Sequence, residues 1–148
     1  MRRNEIEFET QKNEFGDVRL LPKVDGMGFA DLVKEYEQNK GDEPVGRYGG
    51  LWSVCWNFGG FKNYFLGNGR SPVSRDGNPI ALLVCECGEA GCWSLETAVS
   101  LTQDTVTWSG FAQPHRDKRY YSDLGPFIFD RVQYEAALNR LDELQTSS

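Results

Sequence analysis

The chain has 148 residues, of which 39% are hydrophobic and 13% aromatic, and its net charge at neutral pH is −6. This length can bury roughly 70% of the unfolded surface in one core, and the aromatic content argues against disorder. The acidity argues against a general nucleic-acid binder, whose affinity comes from Lys and Arg neutralising phosphates. No apolar run reaches the roughly 18 residues of a membrane span.

Residues 1–43 carry 11 acids and 7 bases against 11 and 9 in the remainder, so the acidity leans toward the N-terminal third. In "NEIEFET", Ile6 and Phe8 alternate with Glu5, Glu7 and Glu9, the pattern of a half-buried strand with an acidic outer face. "DVRLLP" reads as a second short strand ended by Pro22. Phe29, Leu32, Val33 and Tyr36 then recur at helical spacing, which predicts a helix over 29–40 with Gly41 at its C-terminal cap. "GDEPVGRYGG" is a loop that displays Asp42 and Glu43.

Residues 51–66 fit two patterns. Strands turning at Gly59–Gly60 are preferred, because two glycines inside a helix cost about 2 kcal/mol relative to alanines. After a Gly-, Pro- and Ser-rich loop at 69–79, "IALLVCEC" reads as a central strand buried on both faces. "CWSLETAVSLT" and "TVTWSGF", joined by a turn at Gln103–Asp104, complete an antiparallel meander over about 80–111.

A polar loop, "QPHRDKRYYSDLG", leads to the final helix, over about 131–144. Asp130 is the expected N-cap, with Gln133 in the capping-box position and Phe129 and Tyr134 as a hydrophobic staple. Val132, Leu138, Leu141 and Leu144 are its expected buried side. The chain thus predicts one α+β domain over 1–148. Its antiparallel sheet comprises the N-terminal strand and the meander, packed with two helices.

Three of the four cysteines lie within eight residues, in "VCECGEAGCWSL". On a hairpin, Cys87 and Cys92 would face each other and Cys85 would share their face. With His115, the single histidine, Cys85, Cys87 and Cys92 make up a conceivable zinc site. The C-x-C-x4-C spacing is not a common zinc pattern, and small cysteines packing around a tight glycine turn are the stronger reading. A Cys87–Cys92 redox pair lacks the helix N-terminus that lowers a thiol pKa. The chain has no G-x-S-x-G elbow, P-loop or H-E-x-x-H motif. A Cys87 or Cys92 nucleophile with His115 can be drawn, but no further residue supports it.

"LLVCECGEAGCWSL", "DTVTWSGFAQPHR" and "LGPFIFDRVQYEAAL" together resemble a family of small, largely uncharacterised bacterial proteins. That family's pattern is a C-x-C-G-x-x-G-C-W turn, a T-W-S strand with a following P-H-R, and an F-D-x-x-Q-Y-x-A-A-L helix. The resemblance spans about residues 80–141 and implies a bacterial, cytosolic, single-domain protein. The chain is also similar in type (size, acidity, α+β pattern) to the immunity proteins with which bacteria neutralise toxins. The leading expectation is therefore a non-enzymatic inhibitor that covers the active site of a basic toxin, with neither nucleic acid nor membrane as partner. Its expected contacts are loop acids and tyrosines: Asp42, Glu43, Glu89, Tyr120, Tyr121 and Asp123. A small zinc domain is the second expectation and an enzyme the third. The N-terminus, with no apolar signal region, suggests the cytoplasm, where thiols stay reduced.

Overall fold

The computed structural model describes residues 3–12, 14, 18–42, 45–46, 48–52, 61–67, 80–85, 94–113 and 120–146. Strand β1 (Ile6–Lys12) pairs antiparallel with β2 (Val18–Val24) along its whole length. Ile6 and Phe8 face the core together with Leu20, Pro22 and Val24, while Glu5, Glu7 and Glu9 face solvent, as the two-residue alternation requires. β2 does not stop at Pro22. That residue falls between the positions paired by β5 (Arg19, Leu20) and those paired by β3 (Lys23, Val24). The ladder on that flank is interrupted there, which is where a strand tolerates proline.

A two-residue turn at Asp25–Gly26 leads to β3 (Met27–Gly28) and directly into α1 (Phe29–Lys40). Gly41 ends the helix with φ +82, and the amides of Gly41 and Asp42 return to Gln38 and Glu37. Glycine adopts this left-handed cap without a Cβ penalty. The apolar stripe seats Phe29 and Val33 in the core and leaves Leu32 and Tyr36 partly buried against it.

β4 (Tyr48–Gly49) and β5 (Leu51–Trp52) form one run bent at Gly50. β4 pairs with β6 (Ile80–Cys85), whereas β5 pairs with β2. Between β5 and β6 comes α2 (Phe61–Phe65), so the region expected to be all strand is strand at 51–52 and helix at 61–65; residues 53–60 lie outside the described residues. β6 is buried from Ile80 through Val84, as its continuous apolar run predicts. β7 (Ser94–Leu101), β8 (Thr105–Ala112) and β9 (Phe127–Asp130) complete the second sheet, in the order β4-β6-β7-β8-β9.

The fold class is therefore α+β, with the expected meander and the two expected helices. The single expected sheet is divided, however: β1 belongs to the sheet of β2, β3 and β5 rather than to that of the meander. Among the described residues the sheets meet at two seams. One is the bend at Gly50; the other is a parallel bridge between Asn4 and Phe129, where the Asn4 amide donates to Ile128 at 2.7 Å.

Helix α3 (Arg131–Thr146) leaves β9 and packs on β1, β8 and β9. Tyr134, fully buried, meets Phe129 as the expected staple, at 5.4 Å between rings. It accepts a hydrogen bond from Trp108 Nε1 at 3.1 Å and donates to the Phe65 carbonyl at 2.6 Å. Two helix expectations are corrected. Val132 is 82% exposed: at 100° per residue it points about 200° away from Tyr134. Gln133 does not close a capping box. Its carboxamide accepts from Ile6 N at 3.0 Å and donates to Ile6 O at 2.7 Å, so it pairs the buried start of β1 as a neighbouring strand would.

At the Gly50 seam, a Cβ would lie 2.5 Å from the Leu20 carbonyl oxygen and 2.7 Å from Arg19 Cγ. Backbone oxygen cannot step aside cheaply. Gly50→Ala is expected to cost about 2 kcal/mol, the usual scale of overpacking. Thermal unfolding should show this as a midpoint several degrees lower; an unchanged midpoint would mean that the seam is not closely packed.

Candidate functional site

α1 carries one charged residue on its buried face. Glu37, four residues after Val33, is only 1% exposed. A buried carboxylate must be hydrogen-bonded or lose its charge. Glu37 accepts from the Tyr121 hydroxyl at 2.6 Å and from the Gly46 amide at 3.1 Å. Behind Tyr121 the donors form a chain: Tyr48 donates to Tyr121 at 3.0 Å and Gln113 Nε2 donates to Tyr48 at 3.0 Å. Every donor in this chain points toward the carboxylate, so each bond polarises the next in the same sense.

Lys40, one turn further along α1, draws the surface onto this buried chain. Its ammonium lies 5.4 Å from the centre of the Tyr36 ring and 5.3 Å from that of Tyr121, and the two rings stack at 5.9 Å. It pairs with Asp42 at 3.4 Å and donates to the Tyr120 carbonyl. A cation at a helix C-terminus also complements the helix dipole. Tyr120 is further fixed by a bridge to Ala112 at the end of β8.

Asp42, Tyr120, Tyr121 and Asp123 are thus gathered around the C-terminal end of α1, although Asp42 lies far in sequence from the other three. Their roles differ. Tyr120 is 67% exposed and Asp123 is exposed, whereas Tyr121 is 1% exposed and points into the core. Glu43 and Glu89 lie outside the described residues. Of the zinc-site candidates, Cys85 is the last residue of β6, paired with Tyr48. Cys87, Cys92 and His115 lie outside the described residues, as does the turn between β6 and β7. Among the described residues no group of three His, Cys, Asp or Glu side chains is placed to hold a metal.

The sequence reading missed Glu37, Lys40, Tyr48 and Gln113. Glu37 left a signal: Phe29, Val33 and Glu37 continue one helical stripe at spacings of four. Tyr48 and Gln113 left none. A groove elsewhere, beside Arg3, Asp104, Asp130 and Val132, contains an Arg3–Asp130 ion pair at 3.2 Å.

Burial raises the Tyr121 hydroxyl well above the ordinary tyrosine value, and its hydrogen bonds to Glu37 and Tyr48 add to this. Burial likewise raises Tyr134, against the opposing hydrogen bond from Trp108. Tyr36 is raised by burial and by the charge of Asp123, with a hydrogen bond from the Asp123 backbone opposing.

No family model, curated protein or solved structure matches the chain. The family resemblance over residues 80–141 therefore rests on its three motifs alone. No helix among the described residues is long and apolar enough to cross a membrane.

Removing the Tyr121 hydroxyl leaves the Glu37 carboxylate buried and short of a donor. Tyr121→Phe is expected to cost about 2 kcal/mol, whereas Tyr120→Phe should stay within about 0.5 kcal/mol. Denaturant unfolding of the two variants checks this, and equal effects would contradict the asymmetry. The raised tyrosines also set an alkaline limit. A phenol whose folded value lies above its unfolded value of 10.0 contributes stability that is complete below that pH and lost as pH climbs toward the folded value. Thermal midpoints should fall from about pH 10 upward, and less steeply in Tyr121→Phe. Equal slopes in the two proteins would show that Tyr121 does not set the limit.

Proposed function

We propose that the chain is a non-enzymatic protein-binding inhibitor of the bacterial immunity type. Its place would be the cytoplasm, and it would meet a basic toxin surface with the face formed by Tyr120 and Asp123, beside the Lys40–Asp42 pair. The observation that carries this reading is Tyr120: a large aromatic side chain, 67% exposed, on backbone tied down from two directions. An aromatic on fixed backbone gives up little conformational freedom on binding and is the usual anchor of an interface. The exposed carboxylate of Asp123 and the net charge of −6 favour a cationic partner, for which complementary charge speeds association and sets specificity.

Binding is favoured over acid–base catalysis by the state of Glu37. At 1% exposure, with oxygens engaged by Tyr121 and Gly46, it offers no atom to a substrate. Its geometry suits it to hold Tyr121, and so the neighbouring Tyr120, in place.

The test is affinity capture from the source cells, sequencing of any stoichiometric partner, and titration of that partner against variants. The expected partner is a basic protein. Tyr120→Ala should raise its Kd about thirtyfold, the effect of losing a hot spot near 2 kcal/mol, and Asp123→Lys should also weaken it, both without loss of folding. A partner indifferent to both variants would overturn this face; the lack of any partner would overturn the binding reading.

A further inference from the structure

No further inference is drawn: the strongest candidate, the groove between the β7–β8 turn and the first turn of α3, where exposed Val132 lies beside Arg3, Asp104 and Asp130, carries nothing because Arg3 and Asp130 already pair with each other and nothing in the structure shows what covers it.

Discussion

A single buried carboxylate organises the side of the molecule on which the functional reading depends. Glu37 belongs to α1, its partners belong to the loop before β4 and to the segment before β9, and the chain of donors behind it reaches the end of β8. Hydrophobic contacts alone would let these pieces slide over one another. A desolvated charge does not permit this, because any displacement that leaves it without donors carries the full cost of an unsatisfied buried ion. The tie therefore fixes the position of Tyr121, and through the peptide bond that of Tyr120. Lys40 repeats the device at the surface, joining two stacked tyrosines, Asp42 and the Tyr120 carbonyl through one ammonium group.

The regular elements were largely legible in the sequence because each is written in a local period. The Ile6/Phe8 alternation, the Phe29–Tyr36 stripe, the apolar run at 80–84 and the Phe129–Tyr134 staple need only their neighbours to be read. What escaped depends on residues distant in the chain. The division into two sheets turns on Gly50 and on one bridge from Asn4, neither of which has a local signature. Gln133 occupies a capping-box position, but the buried amide and carbonyl of Ile6 compete for it and win. Val132 could have been placed outside, since Tyr134, Leu138 and Leu141 already define the helix stripe and Val132 stands opposite it.

The candidate site was half legible. Asp42, Tyr120 and Asp123 were chosen as polar loop residues, and the fold does gather them at one end of α1. Their chemistry could not be separated in advance. Tyr120 and Tyr121 are adjacent and identical, and in an extended segment one must face in and the other out; only the position of Glu37 decides which. The acidic N-terminal third likewise resolves into two different surfaces, the Asp42 side of α1 and the outer row of β1. On the first, Asp42 is drawn into a pair with Lys40; on the second, Glu5, Glu7 and Glu9 face solvent.

The central claim is that Glu37 and Tyr121 act as one unit. A double-mutant cycle of Glu37→Leu, Tyr121→Phe and the double variant, measured by denaturant unfolding, tests it most directly. The account predicts a coupling energy of about 1–3 kcal/mol, with the double variant less destabilised than the sum of the single ones. A coupling near zero would show that the two side chains are buried side by side without depending on each other, and that the placement of Tyr120 has another cause.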